Sequence, residues 1–206
     1  MRISVLGSGT GTNFVAIAQA VARGELRNVD IALVLSDIEN AGILARAQEF
    51  GVPCAYIPVT NFKTKLEGPP EQAYIEALRA AGTDYVVLAG FMRMIKREML
   101  AAFPQRIINI HPALLPAFPG IHSWEQALAY GVKITGCTVH FVDEGMDTGP
   151  IIAQAAVPVH DDDTPASLHA RIQQEEHRLY PRVLQWLADG RVHIQGRRTF
   201  LVPPGP

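Results

Sequence analysis

Arg2-Ile-Ser-Val-Leu-Gly-Ser-Gly-Thr-Gly-Thr-Asn13 opens the chain with an apolar run that stops at a cluster of glycines. Residues 3–6 read as a buried strand, and Gly7 to Gly11 as the tight turn after it. Helical spacing then runs over 13–23, with Thr12 as the expected N-cap. The rhythm repeats down the chain. A strand at 30–35 ends at Ser36-Asp37, and a helix at 41–50 is closed by Gly51. A strand at 54–57 precedes a helix at 70–81, which has prolines before it and Gly82 after it. A continuous apolar strand at 85–89, a short helix at 96–103 and a strand at 106–110 complete the series. Strand and helix in such alternation give parallel strands with right-handed crossovers.

Beyond residue 120 the pattern changes. A helix at 123–130 leads into strands at 135–142 and 151–159. These are joined by the polar turn Asp143-Glu-Gly-Met-Asp-Thr-Gly-Pro150, an antiparallel addition. A long helix runs from 165 to about 188, capped by Asp163 or Thr164 and bent or broken at Pro181. The tail 191–206 reads as frayed. The expected fold is single-domain α/β. It has a mostly parallel, twisted, Rossmann-like sheet of about seven strands, helices on both faces and an antiparallel C-terminal strand addition.

The chain has 206 residues, of which 48% are hydrophobic, enough for one substantial core. A net charge of −2 without a basic block argues against a nucleic-acid surface and against electrostatic membrane docking. The start lacks the longer apolar stretch of a signal peptide, and no segment has the length of a membrane span. Cys54 and Cys137 have no CxxC or metal-ligand spacing and read as reduced thiols. A cytoplasmic protein is expected.

Chemistry concentrates in Ile107-Ile-Asn-Ile-His-Pro-Ala-Leu-Leu-Pro-Ala-Phe-Pro-Gly120. Strand side chains repeat every second residue, so Asn109 and His111 share a face. Pro112 ends the strand, and Pro116 and Pro119 stiffen the segment after it. An amide beside an imidazole at a strand's C-terminal end suits a reaction in which a carbonyl oxygen becomes an oxyanion. Asp147 gains interest if its turn folds back over His111, where a carboxylate favours the protonated ring or takes a proton from an amine. Gly7 to Asn13 reads as a phosphate cradle or as a plain tight turn. It has neither the Gly-Lys-Ser/Thr of a Walker loop nor the third glycine of G-x-G-x-x-G. Leu88-Ala-Gly-Phe-Met-Arg-Met-Ile95 offers Met and Phe side chains to a flat ring, or simply to the core. Arg93 reads as a surface residue or a carboxylate's partner. Gln173 and Glu176 share a helical face that by itself reads as solvated. The remaining histidines show no H-E-x-x-H or Cys/His cluster, and Asp161-Asp-Asp163 suits a helix cap, so no metal is expected.

Together these residues resemble the phosphoribosylglycinamide formyltransferase family of de novo purine synthesis, from Met1 to about residue 190. Asn109-Ile-His-Pro-Ala-Leu-Leu-Pro116, Gly136-Cys-Thr-Val-His-Phe-Val142 and Asp147-Thr-Gly-Pro150 resemble folate-dependent formyltransferases in general. Gly9-Thr-Gly-Thr-Asn13, residues 88–94 and Gln174-Glu-Glu-His177 are similar to the glycinamide ribonucleotide enzyme in particular. The resemblance implies formyl transfer from 10-formyltetrahydrofolate, as co-substrate, to the amine of glycinamide ribonucleotide. Asn109, His111 and Asp147 would be catalytic. Gly11, Thr12 and Asn13 would hold the phosphate, and Gln173 and Glu176 the ribose. Met92, Arg93, Met94, Ile95, Asn109, His140, Phe141, Val142, Asp143 and Asp147 would surround the folate. Lys65 stands where the family often has an arginine for the folate, and keeps its charge without the planar fork. Residues 1–190 would form one formyltransferase domain, with a ribonucleotide-binding half to about 100 and a folate and catalytic half after it. The partners implied are small molecules, with no nucleic acid and no membrane, and a homodimer is left open. The rival readings are a formyltetrahydrofolate hydrolase, another folate formyltransferase, or a dinucleotide-binding sensor domain using Gly7, Gly9 and Asp37.

Overall fold

The computed structural model describes residues 1–60 and 64–203. Its main sheet contains β1 (Arg2–Leu6), β2 (Asp30–Ser36), β3 (Cys54–Tyr56), β4 (Tyr85–Leu88), β5 (Ile107–His111), β6 (Ile134–Phe141) and β7 (Ile151–Pro158). The order across it is β3-β2-β1-β4-β5-β6-β7. The first five strands are parallel, and β6 and β7 add antiparallel. The chain moves outward from β1 to β3 and then returns to the other side of β1 at β4. That reversal leaves a crevice at the strands' C-terminal ends, where open α/β sheets bind ligands.

Alternation along the strands loads both faces of the sheet. Ile3, Val5, Val87, Ile108 and Ile110 point to one side. There they meet α1 (Thr12–Ala22), α2 (Gly42–Glu49) and α6 (Pro165–Ala188). Leu6, Leu35, Val86, Leu88 and Ile107 point to the other. There they meet α3 (Pro69–Ala80) and α4 (Arg97–Ala102). The helix α5 (Ser123–Tyr130) lies against α6. The expected α/β architecture is the one observed.

Three local expectations need correction. The N-cap of α1 is Gly11, not Thr12, and no side chain caps the helix. Gly11 has φ +78, and a Cβ on it would lie 2.8 Å from the Ile43 backbone, so glycine is required there both by conformation and by the approach of α2. The helix α6 runs unbroken through Pro181, which overturns the expected break there. Burial of Leu179, Tyr180, Val183, Leu184 and Leu187 outweighs the hydrogen bond that proline removes. Thr164, with Ser167 in a reciprocal capping box, starts that helix. The tail is not simply frayed: β8 (Val192–Gln195) and β9 (Arg198–Leu201) form a separate antiparallel hairpin. Thr199 Oγ1 donates to the Ile151 carbonyl at 2.7 Å, and Arg197 to that of Thr148 at 2.7 Å, which ties the hairpin to the start of β7. Residues 204–206 lie outside the described part. Among the described residues no helix is long and apolar enough to cross a membrane, and both cysteines are free.

Candidate active site

A cleft of about 580 Å³ opens over the C-terminal ends of β1, β4 and β5. It is walled by the glycine turn, the 88–95 loop, the segments 109–112, 120–124 and 140–147, and one face of α6. Both halves of the chain contribute to it.

Asn109 and His111 stand on the floor. The antiparallel register sets Asn109 opposite His140 and His111 opposite Thr138. Thr138 is completely buried, and its hydroxyl donates to the Ala113 carbonyl at 2.7 Å and accepts from the Leu115 N–H at 3.1 Å. Gln154 reaches both the Thr138 hydroxyl and the Leu115 carbonyl at 2.9 Å. This buried network fixes the chain as it leaves His111.

Asp147 arrives from the turn between β6 and β7. Its backbone sits at φ +55. Asp143 braces the turn by accepting from the Gly145 N–H and the Thr148 hydroxyl. Gly149 must be glycine, because a Cβ there would lie 1.8 Å from the Phe141 carbonyl oxygen. So held, Asp147 places Oδ2 3.5 Å from His111 Nδ1 and Oδ1 3.7 Å from His140 Nε2. Oδ2 also accepts the Gly120 N–H at 2.8 Å. His111 Nε2 donates to the Phe118 carbonyl at 2.8 Å. Both ring nitrogens of His111 therefore face oxygen acceptors.

His140 is the residue whose role sequence reading underrated. Its Nδ1 donates to the Phe141 carbonyl at 2.8 Å. Burial pushes the ring below the usual histidine pKa, although that hydrogen bond and the Asp147 charge act the other way. A neutral ring with its proton on Nδ1 presents a lone pair at Nε2. The Asn109 atom 3.3 Å away is then the amide nitrogen donating. His140 thus orients the Asn109 amide, leaving its second N–H for the cleft.

Gly11, Thr12 and Asn13 bring the start of α1 to the cleft wall, which Gln173 and Glu176 also line. Glu176 is buried and accepts from Asn13 Nδ2 at 2.9 Å. The solvated face expected of α6 is therefore a buried one at this position. Asn13 Oδ1 is buried without a hydrogen-bond partner among the described residues, and such an acceptor suits a ligand hydroxyl or amide. Burial pushes the Glu176 carboxyl up to about 7 from an ordinary 4.5, the Asn13 hydrogen bond working against it. The folded chain then keeps a proton between about pH 4.5 and 7 that the unfolded chain releases. The stability associated with that proton is whole below pH 4.5 and is lost as pH rises through 7. Glu176→Gln is expected to remove this slope and raise stability at pH 8 by up to about 3 kcal/mol relative to wild type. Urea denaturation at pH 5 and pH 8 checks it, and equal destabilisation at both values would contradict the burial argument.

Met92, Arg93, Met94, Ile95, Val142 and Asp143 line another part of the wall. Arg93 Nε pairs with Asp37 at 2.7 Å, and Ser8 Oγ donates to the other Asp37 oxygen at 2.5 Å. Met92 N–H in turn donates to Ser8 Oγ. Asp37 therefore cross-links the glycine turn to the 88–95 loop and is buried in that role. This use counts against a dinucleotide reading, in which it would bind a ribose. Two residues expected around a folate are not in the lining. Phe141 points into the core. Lys65 is exposed, and its backbone bridges to Met94. Trp124, His122 and His169, which sequence reading did not single out as ligand groups, do line the cleft. The one available signal was that His169 lies four residues before Gln173 on the same helical face. Among the described residues no group of His, Cys, Asp and Glu could hold a metal ion.

The formyl transferase family profile matches residues 1–184. A phosphoribosylglycinamide formyltransferase of Bacillus subtilis is 43% identical over 186 residues, covering 90% of this chain and 94% of that protein. The crystal structure of glycinamide ribonucleotide transformylase 1 from Symbiobacterium toebii superposes with a TM-score of 0.94 at 47% identity, over 98% of this chain and 94% of that one. A formyltetrahydrofolate deformylase from Pseudomonas syringae superposes at 0.90 with 26% identity, over 98% of this chain and 66% of that one. With a cleft built as described and kinship of this extent, the chain belongs to the formyl transferase family, and within it to the phosphoribosylglycinamide formyltransferases.

Proposed function

We propose that the protein transfers the formyl group of 10-formyltetrahydrofolate to the amine of N1-(5-phospho-D-ribosyl)glycinamide. The products are formylglycinamide ribonucleotide and tetrahydrofolate, in de novo purine biosynthesis. The observation that carries this reading is the meeting of Asn109, His111 and Asp147 in one cleft. A glycine-rich helix start and a methionine-lined wall share that cleft.

In this reading Gly11, Thr12 and Asn13 receive the phosphate, because a helix start offers free N–H groups and a favourable dipole. Gln173 and Glu176 receive the ribose. The pterin lies along Met92, Met94, Ile95 and Val142, with Asp143 and the backbone near His140 and Phe141 at its polar edge. Arg93 shapes that wall through Asp37, and Lys65 supports it through the Met94 backbone. The half of the chain up to about residue 100 supplies the phosphate cradle, and the half after it supplies the reacting groups. Reduced thiols and small-molecule partners fit a cytoplasmic enzyme.

The uncharged amine attacks the formyl carbon, and the carbonyl electron pair moves to oxygen. Asn109 donates the N–H that His140 leaves free, and His111 donates from its ring. Asp147 holds the His111 ring and accepts the proton that the attacking nitrogen loses, directly or through water. As the oxyanion collapses, the bond to the folate N10 breaks and that nitrogen takes up a proton. His111 Nε2 is bonded to the Phe118 carbonyl. Donation to the oxyanion therefore requires that this bond be shared or released.

The assay supplies glycinamide ribonucleotide and a 10-formyl folate and follows the absorbance of the deformylated folate. Turnover that depends on both substrates is expected. Folate deformylation at the same rate without the amine would replace this reading by a hydrolase.

A further inference from the structure

Trp124 and His169 stack face to face, with ring centroids 3.8 Å apart and planes within 6°. Both rings are half-buried at the wall of the cleft. His169 shares its face of α6 with Gln173 and Glu176, at spacings of four and seven residues. Trp124 is the second residue of α5. The stack therefore joins the α6 face that carries Gln173 and Glu176 to the start of α5.

α5 in turn holds the segment 112–122. Ser123, completely buried, donates from its hydroxyl to the Pro112 carbonyl at 2.8 Å. Gln126 donates to the Ile121 carbonyl at 2.8 Å. Tyr130, at the far end of the helix, meets the Phe118 ring edge-on at 5.9 Å. In the segment itself Phe118 and His122 stand at positive φ, conformations that surrounding contacts hold in place, and Gly120 at a positive φ that glycine adopts freely. It delivers two backbone groups to the reacting residues, the Phe118 carbonyl to His111 and the Gly120 N–H to Asp147.

We propose that the Trp124–His169 stack is a positioning clamp for the formyl transfer. It sets α5 against α6, and so sets where the Phe118 carbonyl and Gly120 N–H meet His111 and Asp147. Through the shared face of α6 it also couples those contacts to ribonucleotide binding at Gln173 and Glu176. Neither ring needs to touch the reacting atoms. The inference rests on the function proposed above.

The test uses the full chain. Its two tryptophans are Trp124 and Trp186. Trp186→Phe therefore leaves Trp124 as the single indole. In that background, glycinamide ribonucleotide alone is expected to change the Trp124 emission, and His169→Ala to abolish the change. Trp124→Ala and His169→Ala are expected to lower kcat by about ten- to a hundredfold, the range that misplaced reacting groups produce. KM for the folate should change less than threefold. His169→Phe, which keeps a stacking ring without ionisable nitrogens, should restore kcat to within threefold of wild type. The clamp is wrong if the alanine variants melt earlier but keep the wild-type kcat. It is equally wrong if His169→Phe is as impaired as His169→Ala, or if the ribonucleotide leaves Trp124 emission unchanged. A wild-type protein inactive with both substrates would overturn the proposed function itself, whereas an active wild type with unaffected variants overturns the clamp alone.

Discussion

Asp147→Asn is expected to lower kcat by about 10²–10⁴-fold, the range associated with losing a positioned acid–base group. The fold should survive, because asparagine is nearly isosteric and its oxygen can still accept the Gly120 N–H. What disappears is the charge 3.5 Å from His111 and 3.7 Å from His140. The attacking amine loses its proton acceptor, and the His111 ring loses the anion that holds it. His140 should respond as well. Burial already lowers its pKa and the Asp147 charge opposes that, so removing the charge lowers it further. The His140 ring in the variant should stay neutral to a lower pH, which NMR titration of its ring protons would show. Steady-state kinetics beside thermal melts decide the main point. A variant that keeps more than a tenth of wild-type kcat would remove Asp147 from the mechanism.

Asn109→Ala is expected to lower kcat by about 10²–10³-fold, equivalent to roughly 3–4 kcal/mol of oxyanion stabilisation. Its KM values should move much less, since the lost hydrogen bond strengthens only as charge builds on the formyl oxygen. The small cavity left at the end of β5 is lined partly by polar groups and should cost little stability. Asn109→Asp is the sharper comparison. It keeps the volume but turns acceptors towards both the oxyanion and the His140 lone pair. It should be at least as inactive as the alanine variant. Single-turnover measurements with both substrates saturating isolate the chemical step. Equal losses in kcat for the aspartate and alanine variants fit an oxyanion donor, whereas an active Asn109→Asp would exclude one.

The sequence exposed the strand–helix rhythm because periodicity and turn chemistry are local properties. Apolar runs such as 85–89 sit in a fully covered parallel sheet, and Gly51, Gly82 and the prolines that open α3 mark ends that need no distant partner. Local signals misled where packing overruled them. Thr12 has good capping chemistry, but the approach of Ile43 makes Gly11 the cap. Pro181 has the chemistry of a helix breaker, but the buried residues around it hold α6 together. The C-terminal hairpin depends on bonds to Thr148 and Ile151, which composition cannot reveal.

The pairing of Asn109 with His111 on one strand face comes from the two-residue repeat and needed only the order of amino acids. The tertiary structure alone decided that Asp147 reaches His111 and that His140 orients Asn109. It also decided that Asp37 is spent on Ser8 and Arg93, and that the α6 face at Glu176 is buried against Asn13. Each of these contacts joins segments far apart in the chain. Strand register, sheet order and helix packing determine which of them meet, and no local pattern of residues encodes those distances.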